Sequence, residues 1–194
     1  MIDNNNLDQT GLIDLLRQTG VIMEGHFLLT SGRHSGRFLQ CSRLLQYPQH
    51  AARVCRQMAE PFKNERIDTV IGPAMGGIIL SYETARALGA RSLYAERTDD
   101  EKMVLRRGFQ IEAGERVLVV EDAVTTGASV QKVIDLLTHL GAAIVGVSII
   151  IDRTSGKLDF GLPLSSLLSM EIESFAPEDC PLCRKGISLQ KPKG

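Results

Sequence analysis

Positive charge is not in excess in this 194-residue chain: Lys and Arg total 22 against 23 Asp and Glu, for a net charge of −1. A balance of that kind, with a pI near 6.4, argues against a large nucleic-acid footprint. A leading apolar stretch with a basic flank is also missing, since Met1–Gln9 is polar and carries three Asn. No apolar run approaches the length needed to span a bilayer, so a cytoplasmic setting without a membrane partner is expected. Cysteine is scarce, and the four present do not form a disulfide framework. Cys41 and Cys55 lie in apolar-periodic surroundings, where a free Cys packs as a small hydrophobe. Cys180-Pro-Leu-Cys183 is a lone C-x-x-C in the tail. A zinc site needs a second pair of ligands and the nearby tail supplies no His. The expectation there is a reduced structural tail and no metal ligands, with a metal shared across a dimer as the alternative. Internal repeats and low-complexity segments are absent too.

What is present is a globular composition, 43% hydrophobic and 23% charged, in a chain long enough for a full core. Leu7–Gln18 reads as an amphipathic helix with Leu12, Leu15 and Leu16 on one face, stopped by Gly20. His26–Leu29 and Gly36–Cys41 read as short extended segments around a turn. Pro48 opens a helix with Val54, Met58 and Phe62 at four-residue spacing. Strand and helix then alternate: strand Ile67–Ile71, helix Gly76–Leu88, strand Arg91–Ala95, a polar loop Glu96–Gly108, a strand from Val117, helix Ala128–Leu140 and strand Ala143–Ile151. That alternation indicates a parallel α/β sheet. Residues after Phe160 mix apolar and acidic positions and end in a Lys/Pro/Gly tail expected to fray.

Residues 117–129, Val-Leu-Val-Val-Glu-Asp-Ala-Val-Thr-Thr-Gly-Ala-Ser, are the most informative segment. The apolar run Val117–Val120 suits a strand buried on both faces, and ligands of such sheets bind where strands give way to helices. Glu121 and Asp122 at that edge can accept hydrogen bonds from vicinal hydroxyls. Thr125, Thr126, Gly127, Ala128 and Ser129 offer backbone N–H groups, hydroxyls and a helix N-terminus, a combination suited to a phosphate dianion. Gly127 lets the backbone approach the anion. A diol grip beside a monophosphate grip implies a ribose 5-phosphate. The segment is not a Walker A loop, lacking the Lys, and not a G-x-G-x-x-G turn.

Three further segments border it. Gly72-Pro73-Ala74-Met75-Gly76-Gly77 follows a buried strand and opens a helix, so it reads as a second anion cradle or as a plain tight turn. The loop Glu96–Gly108 carries Arg97, Lys102, Arg106 and Arg107; it is either a mobile lid or a solvated charged loop. Asp152-Arg153 ends a core strand, either as a structural ion pair or with Arg153 free to hold a planar carboxylate bidentately. His26, His34, His50 and His139 are read as ordinary, His34 as a surface turn residue.

The signature resembles that of the type I phosphoribosyltransferases, which bind phosphoribosyl pyrophosphate (PRPP). Over roughly residues 25–156 the chain is similar to orotate phosphoribosyltransferases in particular. That family has a segment Leu-Lys-Ser-Gly-Arg-x-Ser followed by an aromatic; here it is Leu29-Thr30-Ser31-Gly32-Arg33-His34-Ser35 with Phe38 after it. The resemblance implies one phosphoribosyltransferase domain over residues 1–194, with a hood from about 1–45 and 157–194 and a core of about 46–156. It implies an enzyme of pyrimidine (UMP) biosynthesis that moves phosphoribosyl from PRPP to orotate, giving orotidine 5′-phosphate and pyrophosphate, with Mg²⁺ as cofactor. On that footing residues 125–129 hold the 5-phosphate, and Glu121 and Asp122 the ribose hydroxyls. Ala74, Met75, Gly76, Gly77, Arg97 and Lys102 receive pyrophosphate; Phe38, Thr125 and Arg153 place orotate. Arg97, Lys102 and Asp122 are the expected catalytic residues. Family members are homodimers whose lid closes over the neighbour's site. The chain departs from the better-known branch at Thr30 and Gly76, each a Lys there, and in a lid without His. Two alternatives share the signature: a purine-base phosphoribosyltransferase, and a non-catalytic PRPP- or nucleotide-binding regulator, against whose RNA-binding form the balanced charge weighs.

Overall fold

Asp8 caps the first helix by accepting a hydrogen bond from the Gly11 amide at 2.7 Å, and the helix, α1, runs Gln9–Gln18 with Leu12, Leu15 and Leu16 buried. The computed structural model describes residues 7–29 and 31–192. Thr30 and the chain's first six and last two residues, including part of the frayed tail expected above, lie outside the described residues. Strands β1 (Ile22–Leu28) and β2 (His34–Leu39) pair antiparallel as a hairpin, with an irregularity between Glu24 and Phe27. A short helix α2 (Ser42–Leu45), which has no sequence signal beyond two leucines, leads to α3 (Pro48–Ala59), started by Pro48 as expected.

The main sheet has six strands: β3 (Thr69–Pro73), β4 (Arg91–Arg97), β5 (Met103–Val104), β6 (Arg116–Val124), β7 (Ala143–Asp152) and β8 (Leu164–Ser169), in the order β5-β4-β3-β6-β7-β8. All neighbours are parallel except β4 and β5. Helices α4 (Gly76–Leu88) and α5 (Ala128–His139) cross between strands. Pleating divides β6 between two cores. Leu118 and Val120 pack with α3 and α4 residues such as Met58 and Leu80. Val117 and Val119 pack with Val133, Ile134 and Leu137 of α5. A strand buried on both faces reads as a continuous apolar run for this reason.

Several boundaries differ from the sequence reading. β3 starts at Thr69, and β6 carries on through the acidic pair to Val124, so Glu121 and Asp122 lie inside the strand. The polar loop contains β5, which folds back on Glu96 and Arg97. β8 went unrecognised because Leu-Ser-Ser-Leu-Leu-Ser has no β-branched residue and sits at a half-exposed edge. It moves residues 164–169 from the expected hood into the main sheet.

The hood is closed by residues far along the chain. Leu28 N–H donates to Gln190 O at 2.9 Å and Gln190 N–H to His26 O at 2.7 Å, while His34 and Phe175 exchange backbone hydrogen bonds of 2.9 and 2.8 Å. Arg33 donates to the Ser174 hydroxyl and carbonyl. His34 is therefore no surface turn residue: it is only 6% exposed, and His26 is buried beside it. A last helical turn, α6, spans Pro181–Arg184.

Where β3 meets α4, Gly72 and Gly77 touch. A Cβ on Gly72 would lie 2.8 Å from Gly77 Cα and 2.9 Å from Val120 O, all backbone or close to it. Gly72→Ala should destabilise the fold by about 2 kcal/mol and lower the melting temperature by about 4–8 °C, as read by calorimetry.

Candidate active site

β6 delivers its two carboxylates to the C-terminal edge of the sheet, beside the loop that starts α5. Glu121 is almost wholly buried. Burial, and then the adjacent Asp122 charge, push its carboxyl up to about 8. Asp122 is raised as well, chiefly by burial. Asp122 Oδ1 accepts from the Ala123 amide at 2.6 Å and Glu121 Oε1 from the Asp122 amide at 3.0 Å. Among the described ion pairs neither acid has a cationic partner. The two therefore form an acidic pair with no cationic partner, and burial disfavours their ionised forms until a ligand offsets the charge.

The loop after the acids encloses a cavity of about 80 Å³ lined by Glu121 and residues 123–130. Gly127 sits at its base in the left-handed region, φ 79°, as the residue before α5. A Cβ there would meet the Phe160 ring at 2.8 Å, so only glycine suits both the backbone and the floor beneath it. Phe160 and Leu158 support the loop from below; sequence reasoning missed both, since nothing local ties them to Gly127.

Arg97, at the end of β4, reaches the rim of that cavity, with Nη2 3.3 Å from the Ser129 hydroxyl. It is held by Glu101 at 3.1 Å, and Lys132 of α5 binds the same carboxylate at 3.0 Å. Lys102 is not brought to this rim. It pairs with Asp100 at 2.7 Å, and its side chain is 76% exposed. Arg107 pairs with Glu96 at 3.1 Å. Only Arg97 of these three faces the 125–129 loop of its own chain.

The glycine-rich turn adjoins the acid pair. A Cβ on Gly76 would come within 2.7 Å of Asp122 Oδ2, so the first turn of α4 and the carboxylates share one rim. The Ala74 amide donates to Ala95 O at 2.8 Å, and the Ala74–Met75 peptide is cis. Met75 is largely exposed.

Arg153 follows β7, its amide donating to Val124 O at 2.9 Å, the residue that ends β6. Of the two readings of Asp152-Arg153, the structural ion pair does not form among the described residues. Desolvation opposes ionisation of Asp152, but hydrogen bonds from the Thr154 hydroxyl and amide and from the Gly156 amide, each 2.7 Å, outweigh it and hold the carboxyl below its ordinary value. Asp152 anchors the 153–156 turn, and Arg153 is left half-buried with Nε lacking a hydrogen-bond partner. Burial lowers its pKa, the effect of an incompletely solvated guanidinium. Cys41, just past β2, is buried within electrostatic reach of the same groups. Its thiol is pushed well up by burial first, then by Asp122 and Glu121. It therefore marks where the hood meets the acid pair. Phe38 is half-buried on β2 and packs against Phe27, ring centroids 5.9 Å apart.

Residues 40–176 match the phosphoribosyl transferase domain. A protein of Caldanaerobacter subterraneus named orotate phosphoribosyltransferase is 52% identical over 186 residues, covering 96% of this chain and 97% of that one. One of Thermotoga maritima with the same name is 53% identical over 92% of this chain and 95% of its own. The chain belongs to the orotate phosphoribosyltransferase family. The family's fold is seen in the orotate phosphoribosyltransferase of Aeropyrum pernix, TM-score 0.69 at 26% identity, over 81% of this chain and 93% of that one. The Mycobacterium tuberculosis enzyme solved with PRPP has TM-score 0.66 at 25% identity, over 84% of this chain and 97% of that one. An orotate phosphoribosyltransferase is thus an enzyme whose core is shared more widely. The adenine phosphoribosyltransferase of Rhodothermus marinus superposes with TM-score 0.67 at 20% identity, over 83% of this chain and 99% of that one. The fold alone does not choose the base.

Proposed function

We propose that the protein transfers the phosphoribosyl group of PRPP to N1 of orotate, releasing pyrophosphate and forming orotidine 5′-phosphate for pyrimidine synthesis. The observation that carries the choice of base is Arg153, a half-buried guanidinium with an unpartnered Nε. A planar carboxylate on the acceptor satisfies it, and a neutral purine does not. The names of the relatives point the same way.

In this reading Thr125, Thr126, Gly127, Ala128 and Ser129 hold the 5-phosphate, with Arg97 at the rim. Glu121 and Asp122 accept hydrogen bonds from the ribose hydroxyls, and their charge favours the cationic ribosyl that develops as the C1–O bond to pyrophosphate breaks. Ala74, Met75, Gly76 and Gly77 lie where pyrophosphate leaves. Phe38, Thr125 and Arg153 orient the orotate ring so that N1 faces C1. The buried acid pair fits a divalent cation, having two carboxylates and no cationic partner among the described ion pairs. Glu121 and Asp122 would border a bound Mg²⁺, which would supply neutralising charge for the pyrophosphate. Lys102, turned to solvent in its own chain, serves a neighbouring site in a homodimer. The exposed residues Met75, Ile79 and Tyr82, one stripe at the start of α4, support such pairing.

The test is the loss of orotate ultraviolet absorbance with PRPP and Mg²⁺ present, and then with each left out. Consumption in the complete mixture alone is expected. Consumption of hypoxanthine, xanthine or adenine in place of orotate would overturn the assignment of Arg153 and the hood.

A further inference from the structure

The hood brings together four side chains that the reaction does not use. His26 on β1, His34 at the start of β2, and Cys180 and Cys183 around α6 each offer one donor atom, and the four donors lie within 4.8 Å of one another. His26 Nε2 is 3.0 Å from His34 Nδ1 and 3.4 Å from Cys180 Sγ. Cys183 Sγ is 3.3 Å from His34 Nδ1 and 3.7 Å from His26 Nε2. Tetrahedral zinc, with Zn–S of about 2.3 Å and Zn–N of about 2.0–2.1 Å, sets such donors about 3.3–3.8 Å apart. The observed spacings scatter about that range, so a small ion fits at their centre.

The surroundings fit as well. His26 Nδ1 lies 2.7 Å from Ile187 O; that carbonyl can only accept, so Nδ1 carries the proton and the Nε2 lone pair faces the cluster. A backbone acceptor on the far nitrogen is the usual way a protein orients a metal-ligating imidazole. His26, His34 and Cys180 are buried, and Cys183 is exposed. Two imidazoles and two thiols are poor hydrogen-bond partners for each other in a dry interior, and a disulfide between the cysteines would leave both imidazoles without a purpose. None of the four lines the phosphate-loop cavity.

We propose that His26, His34, Cys180 and Cys183 bind one structural zinc ion. Two sulfurs and two imidazole nitrogens in a closed tetrahedral set select zinc, and four protein ligands leave no open position for catalysis. The ion ties the β1–β2 hairpin to the 180–187 turn, next to the stretch whose Ser174 and Phe175 hold Arg33 and His34. It fixes the hood from outside the active site.

The measurement is metal content by mass spectrometry on untagged protein, made in zinc-supplemented medium and purified under reducing conditions without chelator. About one zinc per chain is expected, falling to below about 0.1 in Cys183→Ser, whose substituted side chain is exposed. Exchange of zinc for Co²⁺ in the unaltered protein should give the visible bands of a tetrahedral dithiolate site, a readout independent of how any variant folds. Zinc at substoichiometric traces in the unaltered protein, even after incubation with excess zinc, overturns the site. So does zinc that Cys183→Ser retains in full. Neither result bears on orotate turnover, so the site and the proposed reaction stand or fall separately.

Discussion

Arg153→Ala will lower kcat/KM for orotate by about 100- to 1,000-fold while PRPP affinity stays within about two-fold. The guanidinium is half-buried and its Nε is unpartnered, so a bound carboxylate regains interactions that solvent supplies only in part. Removing the side chain leaves the carboxylate of the acceptor without its bidentate partner in a partly desolvated site, at a cost of about 3–4 kcal/mol for such a charged pair. The groups proposed to hold PRPP, in the 125–129 loop, the acid pair and the 74–77 turn, keep their side chains in this variant. Arg153→Lys should recover only part of the loss, because a point charge does not match the planar fork. Steady-state kinetics with each substrate varied, together with PRPP titration by calorimetry, separates the two affinities. An equal fall in affinity for both substrates would mean that Arg153 shapes the whole rim rather than the base site.

Glu121→Gln will cost at least about 100-fold in kcat/KM, yet make the ligand-free protein more stable at pH 8. Burial pushes the Glu121 carboxyl from an ordinary 4.5 to about 8. The folded state therefore binds this proton more tightly than the unfolded chain does. Stability from the group is fully present below its unfolded value and is lost as pH rises through about 8. The melting temperature of the ligand-free protein should fall between pH 5 and pH 8, and Glu121→Gln should flatten that fall. Asp122, raised in the same direction, leaves a residual slope. PRPP offers hydroxyl donors that favour ionised carboxylates, so its affinity should rise across the same interval. Thermal unfolding with and without PRPP from pH 5 to 8.5 reads both trends. A variant with the same pH slope as the parent would place the proton elsewhere.

Much of the active site was legible because its chemistry is local. The run Val117–Val120, the acid pair, and Thr125–Ser129 occupy consecutive positions, and one strand-to-helix turn suffices to put them in place. Arg153 was legible for a similar reason, being at the end of the neighbouring parallel strand. The role of Asp152 was not, because it turns back to Thr154 and Gly156, and two adjacent charges in a sequence carry no sign of which way each faces. Lys102 was half legible: its charge was visible, its pairing with Asp100 in its own chain was not. Phe160 beneath Gly127, and the two histidines beside Cys180 and Cys183, needed the fold itself. The Cys-x-x-Cys lacked a second ligand pair only when its own stretch of sequence was considered, and the partners lay some 150 residues earlier. β8 shows the complementary failure, where edge position rather than residue type makes the strand.

The closure of the hood by residues near 175 and 190 also sets an order of events during synthesis. Every strand of the main sheet through β8, which ends at Ser169, has left the ribosome before Phe175 or Gln190 emerges. Sheet, phosphate loop and acid pair can thus assemble while the β1–β2 hairpin still waits for its second half. Contacts spanning such distances along the chain carry the largest loop-closure cost and form late. A nascent chain would pass through a stage with the 125–129 loop and the acid pair in place but the hood still open. In the finished protein stripped of the proposed zinc by chelator, the hood should be the first part to open. Amide hydrogens of Leu28 and Gln190 should exchange well before those of Val119 and Ile150 in a rigid sheet.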